Sequence, residues 1–482
     1  MDTNDTVTDD TVTRGSGRSP SLAALLSFLW PGLGQLYLRN RRAAVIFAVP
    51  ALLLIPLLAY ELRQGVVVFG ARFIDPAFSG AAAVLVLGFG VWRLVAVVHA
   101  FVGSEVGGEP SRRRKMLERA VVVALVAVIA ISHLGAGFLL AETSIAAGSV
   151  FATPGPSSLI DFSTAVPTEA PSLAPSQTPE PTPTPTPTPS IDKRVTILLT
   201  GYDSDPTRPG NLNYDSIMVV SYDPVTNSVQ MVSVPRDASS FPVYLGVHQG
   251  VAPIITINSF YKYNASFNSH TGQFDFFQQE VQYLVGVHID YYATMNLQGF
   301  VKMIDLVGGI DVVNPAVIDE WNYDWLDGVH FGLHIPAGPQ HLDGRTALAY
   351  VRSRRGVGEN DFIRSSRQQE VMVDLLHKMA QPGQILNLPS VISAMGSAVN
   401  TNFPADKVAD YVGIGTGIPK ENITQVVLSP TDGYSVYYRS DPTSPAKLCL
   451  LNAKVAALSV KLFGKNSLWY GKPAPINTCP GL

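Results

Sequence analysis

Three nearly unbroken apolar stretches, Ala43 to Tyr60, Gly80 to Val102 and Ala120 to Ala141, dominate the first third of the chain. A helix rises about 1.5 Å per residue and a hydrocarbon layer is about 30 Å thick, so each stretch predicts one membrane-spanning helix. The shorter apolar piece from Ser21 to Tyr37 is broken by Pro31-Gly32-Leu33-Gly34. That break predicts an interfacial or re-entrant segment, with a fourth span as the alternative. A polar tail fills residues 1–20 and no small-residue cleavage site follows, which argues against a cleavable signal peptide.

Beyond Arg194 the period of the pattern changes. Val195 to Thr200, Ile217 to Tyr222 and Val229 to Val234 predict short strands, the last two joined by the turn-forming Asp223-Pro224-Val225-Thr226-Asn227. Tyr291 to Met295 and Ile310 to Val313 predict further strands, while Phe276 to Val285, Leu297 to Val307 and Phe362 to Met379 place apolar residues at helical spacing. Strands alternating with helices predict an α/β domain, a mixed central sheet covered by helices, after an α-helical membrane region. Gly308-Gly309 reads as a turn between helix and strand, because nothing around it resembles a phosphate loop. Helices over Ile385 to Ala398 and Val408 to Ile418 and a strand over Gln425 to Leu428 make residues 381–482 an extension of the domain spanning residues 191–380.

Composition orients these pieces. The chain has 46% hydrophobic and 15% charged residues, with the apolar excess in the membrane region of residues 21–141. Basic residues gather in two short loops, Arg39, Arg41 and Arg42 before the first span and Arg112, Arg113, Arg114, Lys115 and Arg119 between the second and third. Both loops are expected on the cytoplasmic side, so everything after Ala141 is expected outside. Residues 142–190 are rich in Pro and Thr and end in repeated Thr-Pro. They cannot bury a core and form an extended, semi-rigid linker. Arg93, His99 and His133 inside the spans are assigned to interfaces or helix partners, not to chemistry. Cys449 and Cys479, both beyond the linker, are available for a disulfide in an oxidising space. A net charge of -4 without a basic stripe gives no argument for nucleic acid.

The chemistry concentrates in Arg352, Arg354, Arg364 and Arg367, which fall within sixteen residues and enclose Asp361, with Gln368 beside them. Planar guanidinium forks match phosphate oxygens, and several converging forks suit a diphosphate; a solvated charged helix face is the competing reading. Asp203 and Asp215 stand at neighbouring strand ends, where paired carboxylates beside a phosphorylated ligand could share magnesium, or simply form turns. Arg236 and Asp237 end the third strand, as an ion pair or as part of a site. His330 and His334 are separated by Gly332 and followed by Pro336, so no helix brings them to a metal. No Gly-x-Ser-x-Gly elbow occurs in the outer region.

Leu198-Leu199-Thr200-Gly201-Tyr202-Asp203, Tyr214-Asp215-Ser216-Ile217, Ser233-Val234-Pro235-Arg236-Asp237, Ile257-Asn258, Val307-Gly308-Gly309-Ile310-Asp311 and Leu342-Asp343-Gly344-Arg345 through Tyr350-Val351-Arg352-Ser353-Arg354, followed by Asp361-Phe362-Ile363-Arg364 and Arg367-Gln368-Gln369, occur in one order. Together they resemble the LytR-CpsA-Psr family, over about Arg194 to Met379. The resemblance implies a membrane-anchored phosphotransferase. It would move a glycopolymer from a polyprenyl diphosphate carrier in the membrane lipid to peptidoglycan through a phosphodiester. By position, Asp203 and Asp215 look like ligands of magnesium (Mg2+), and Arg236, Arg352, Arg354, Arg364 and Arg367 look like diphosphate ligands supported by Gln368. Asp361 between two arginines is the first choice of general base and Asp237 the second, with ion pairing alone as the other role for Asp361. The family commonly carries Arg two residues before Asp215, where this chain has Asn213. Arg355, in the insertion-like Arg355 to Asn360, is a candidate to restore that charge. The apolar helices Phe276 to Val285 and Phe300 to Val307 are candidates to line a groove for the polyprenyl tail, or ordinary core helices. Two other functions share the site: a non-catalytic polyprenyl diphosphate sensor, and a hydrolase in which water replaces the sugar hydroxyl.

Overall fold

The computed structural model describes residues 18–104, 111–151, 193–202, 213–243, 255–267, 273–325 and 329–479 apart from 357, 380, 382, 385–389, 392–395, 397, 416, 440–442, 444 and 477; the side chains of 264–267 are not described. It divides into two units, Met1–Phe69 with Pro76–Ile145, and Gly70–Asp75 with Ala146–Leu482.

In the first unit, Pro20 follows an N-cap, Ser19, and opens helix α1 (Pro20–Leu29). The chain then turns through Gly32 at φ +100° into α2 (Leu33–Tyr37). At ten and five residues, neither is long enough to cross about 30 Å. They fold back on each other, since the Tyr37 hydroxyl accepts from the Ser19 amide at 3.3 Å and Ser27 Oγ donates to Gln35 Oε1 at 2.9 Å. Among the described residues, three helices are long and apolar enough to span: Arg41–Leu62, Pro76–Val102 and Arg112–Val150. The fully buried Gln35 donates to the Ala96 carbonyl at 2.8 Å, and Arg93 donates to the Phe28 carbonyl and covers the Phe28 ring. A neighbouring helix therefore accepts one bond from the one arginine within that span.

The second unit is built on a six-stranded mixed sheet in the order β10-β5-β1-β2-β3-β11. Its strands are β1 (Val195–Tyr202), β2 (Tyr214–Asp223), β3 (Ser228–Ser233), β5 (Tyr291–Asn296), β10 (Val399–Thr401) and β11 (Ile423–Val427). β1 pairs antiparallel with β2 and parallel with β5, while β3 pairs antiparallel with β2 and parallel with β11. Alternation along the strands sends side chains to two different cores. Leu198, Val219 and Val232 face a cluster with Phe276, Phe277, Val281 and Val285 of α7 (Gln273–Val285) and with Val455, Leu458 and Phe463 of the helix Asn452–Phe463. The opposite face looks toward α8 (Leu297–Leu306), α9 (Gly344–Arg352) and α10 (Asp361–Met379). These helices share a second core containing Ile304, Tyr350, Val371 and Leu375.

The strands and helices expected from the pattern up to Met379 are present, most extended by a few residues. Gly308 and Gly309, both at φ +79°, make the turn from α8 into β6 (Ile310–Asn314), and a Cβ on Gly309 would sit 2.6 Å from His341 Nε2. Most of the segment expected as a helix over Ile385 to Ala398 lies outside the described residues. A small sheet in the order β12-β13-β4, from Ser435–Tyr438, Lys447–Leu450 and Ala238–Ser239, was not anticipated; Cys449 of β13 is bonded to Cys479.

Candidate active site

Two rows of the sheet form one wall of a cavity of about 550 Å³: Ala293, Leu199 and Met218 in register, and beside them Met295, Gly201 and Ser216. Leu297 and Phe300 of α8, Leu348 and Val351 of α9, and Val371, Met372 and Leu375 of α10 complete an apolar interior. Polar side chains, among them Asp215, Arg236, Asp237, Arg352, Arg354, Arg364 and Gln368, line the rest. The groove is thus made by α8, α9 and α10. The expected α7 lies in the core on the other face of the sheet, because its partners Leu198 and Val219 alternate with the cavity residues Leu199 and Met218.

The ends of three elements converge on the charged part. Asp215 is the second residue of β2, the turn after β3 carries Arg236 and Asp237, and α10 begins with Asp361. Arg236 NH1 donates to Asp215 Oδ1 at 2.7 Å, and its Nε lies 3.7 Å from Asp237 Oδ1 and 3.6 Å from Asp361 Oδ1. Asp361 Oδ1 is also 2.9 Å from Arg364 NH1 and 3.8 Å from Arg354 NH1. Arg364 donates to the Asp215 carbonyl at 3.3 Å. Arg352 donates to the Tyr323 hydroxyl at 3.4 Å, and Gln368 accepts from Ser216 Oγ at 2.9 Å and donates to the Val351 carbonyl. Four guanidinium groups facing three carboxylates leave the cluster cationic. The Nε–H groups of Arg236 and Arg364 are buried with no acceptor among the described residues, a deficit of about 1–3 kcal/mol each that an anionic oxygen would relieve.

Burial opposes the charge of both arginines, with different outcomes. Around Arg236, Asp215, Asp237 and Asp361 outweigh burial and raise the pKa, whereas burial dominates at Arg364 and lowers it. Burial also raises the Asp237 pKa; Arg236 opposes this and the neighbouring Asp361 reinforces it.

Not every expected ligand reaches the cavity. Arg367 forms two 2.6 Å hydrogen bonds to Glu359, both side chains only 4% exposed, and lies over the Tyr350 ring. Its charge is already neutralised inside the fold, and it is not brought to the cavity wall. Asp203 lies outside the described residues. Arg355 does not line the cavity; its backbone amide donates to Glu320, which also holds Ser353 and the Arg354 amide and so shapes the arginine loop. A different cation stands near Asn213: Lys262 Nζ donates to Asn213 Oδ1 at 2.9 Å, and Asn213 lines the cavity. Nothing local in the sequence links residues 49 positions apart.

A comparison with known protein families matches residues 165–447 to the LytR_cpsA_psr family. The chain belongs to the LytR_cpsA_psr family. Its curated relatives include the polyisoprenyl-teichoic acid–peptidoglycan teichoic acid transferase TagU of Bacillus anthracis, 33% identical over 216 residues, covering 45% of this chain and 63% of the relative. The transferase TagV of Bacillus subtilis is 28% identical over 262 residues, 53% of this chain and 63% of the relative. The matched region thus spans just under two thirds of each. The crystal structure of Bacillus subtilis TagV aligns with 58% of this chain and 98% of its own at 26% identity and a TM-score of 0.45. Arg236, Arg352, Arg354, Arg364 and Gln368, which line the cavity, all lie within the matched residues.

Proposed function

We propose that this protein transfers a glycopolymer from a polyprenyl diphosphate carrier to a sugar hydroxyl of peptidoglycan, leaving a phosphodiester link. The observation that carries the reading is the junction of an arginine–carboxylate cluster with an apolar cavity in one pocket. Such a pocket suits a molecule that is a diphosphate at one end and a hydrocarbon at the other. The transferase activity for which the TagU and TagV relatives are named supports the same substrate class.

In this reaction the acceptor oxygen attacks the phosphorus that bears the glycopolymer. A new P–O bond forms, the bridging bond of the diphosphate breaks, and polyprenyl monophosphate leaves. Arg236, Arg352, Arg354 and Arg364 position the diphosphate and stabilise the charge that develops on it. The acceptor proton goes to Asp237. Asp361 is poorly suited to take it, because its Oδ1 is shared among three guanidinium groups, and it serves as the organiser of the arginines. Asp237 has a raised pKa and a half-open carboxylate beside the same centre.

Among the described residues no group of three acidic, His or Cys side chains could hold a metal by itself. Magnesium suits the site as an ion held by few carboxylates together with phosphate oxygens and water. Asp215, 39% exposed with one oxygen engaged by Arg236, fits that role; Asp203, outside the described residues, is proposed as the second ligand from the family resemblance alone. When bound, magnesium would supply further neutralisation of the diphosphate charge.

The three long apolar helices would anchor the chain, with the basic loops cytoplasmic and the catalytic unit outside. The Cys449–Cys479 disulfide is consistent with an oxidising compartment. The test is transfer by the purified full chain from a labelled polyprenyl diphosphate glycan to peptidoglycan, with and without chelator. Label on the wall and release of polyprenyl monophosphate are expected. Release without label on the wall would mean hydrolysis, and binding without release would mean a sensor.

A further inference from the structure

Accepting the transfer reading above, the acceptor must reach the phosphorus from outside the apolar cavity. Attacking and leaving oxygens lie roughly in line in phosphoryl transfer, and the leaving polyprenyl phosphate runs into the cavity. The structure carries an aromatic pair on the carboxylate side that neither the cavity nor the core uses. Tyr437 of β12 stands 57% exposed, its ring 6.5 Å from that of Phe362 and inclined at 69°. Neither ring lines the cavity.

Their placement is set by the two carboxylates' own chain neighbours. Phe362 directly follows Asp361 at the start of α10. In the small sheet Tyr437 pairs with Leu448, and Leu448 pairs with Ala238, which directly follows Asp237. One strand over from Tyr437, β13 is fastened by Cys449, whose bond to Cys479 ties down the chain end. Partial burial of Tyr437, then the charges of Asp361 and Asp237, raise its pKa.

We propose that Tyr437, backed by Phe362, is the platform on which a pyranose ring of the acceptor glycan stacks. The apolar C–H face of the sugar covers the aromatic ring, and its hydroxyls are directed toward Asp237 and Asp361. A flat exposed ring beside two carboxylates has the chemistry that recognises such a ring. Tyr437 is thereby a specificity residue for the acceptor and has no part in holding the donor.

The test measures binding to the full chain in detergent by saturation-transfer NMR and calorimetry. A soluble N-acetylglucosamine oligosaccharide stands in for the acceptor and geranylgeranyl diphosphate for the donor. Tyr437→Ala should weaken saccharide binding by about tenfold or more, and Tyr437→Trp should retain it. Diphosphate affinity should not change in either variant. Absence of saccharide binding by the unaltered protein at concentrations on the order of 10 mM, or equal affinity in Tyr437→Ala, overturns the proposal. Loss of both ligands in Tyr437→Ala also overturns it, since the tyrosine would then be structural. Failure of the unaltered protein to bind the diphosphate would instead count against the transferase reading, and the saccharide result would stand by itself.

Discussion

Asp361 and Arg364, one turn apart at the start of α10, meet at 2.9 Å, and the arginine side chain is only 6% exposed. The pair is one spoke of a wheel, because the same Asp361 oxygen also faces Arg236 and Arg354. Holding three like charges around one carboxylate leaves them close together, ready for a multivalent anion.

Arg354 is the most open of the three, at 32% exposure, so its removal should leave the fold intact. A hydrogen bond to a charged group contributes about 1.5–3 kcal/mol, so Arg354→Ala should weaken geranylgeranyl diphosphate binding about tenfold or more. Arg364→Ala should weaken it at least as much and also lower the melting temperature. Unchanged calorimetric affinity in both variants would remove the arginines from the site.

Arg367 should behave differently. Deleting one partner of a buried ion pair leaves an uncompensated charge and costs about 3–5 kcal/mol. Arg367→Ala should therefore destabilise the protein strongly, and the double change with Glu359→Ala should be less harmful than the sum of the two single ones. Denaturation in detergent decides. A stable Arg367→Ala variant with selectively lost diphosphate binding would make it a ligand after all.

The Asp237 carboxyl gives a pH signature. Its pKa is raised in the fold, so folding favours the protonated form; that stabilisation is present at low pH and lost as pH rises through the folded value. At neutral pH Asp237→Asn should keep or raise the melting temperature. As the base, Asp237 must be ionised, so transfer should rise with pH through an inflection above the ordinary value of about 3.9. Asp237→Asn should lose most turnover with diphosphate binding preserved, whereas Asp361→Asn should lose both together. The reverse pattern would return the base to Asp361.

Lys262 and Arg355 are rival sources of the charge missing at Asn213. The 2.9 Å contact favours the lysine. Lys262→Met should reduce diphosphate affinity several-fold and flatten its dependence on salt, because a partly exposed cation acts through a screened field. Arg355→Ala should leave affinity unaltered. Equal effects, or an effect of Arg355 alone, would reverse the assignment.

The strands, the covering helices and the arginine cluster were legible in the order of residues, because hydrophobic period and charge density depend on near neighbours. Val195 to Thr200 is rich in strand formers and is a strand, and Asp361 through Gln368 lies in a segment of helical spacing and is helix. What only tertiary structure decided is which groups share a space. Arg367 and Arg364 are three residues apart and chemically identical, yet Glu359 folds back to neutralise one while the other opens on the cavity. The apolar helices α7 and α8 were equally suitable for a lipid groove, and the two-residue alternation of β1 sent one to a closed core and the other to the cavity wall. Lys262 beside Asn213, and Tyr437 joined through Leu448 to Ala238, depend on pairings across 49 and 210 residues. Such contacts arise from the packing of the whole sheet, and no local pattern in the chain encodes them.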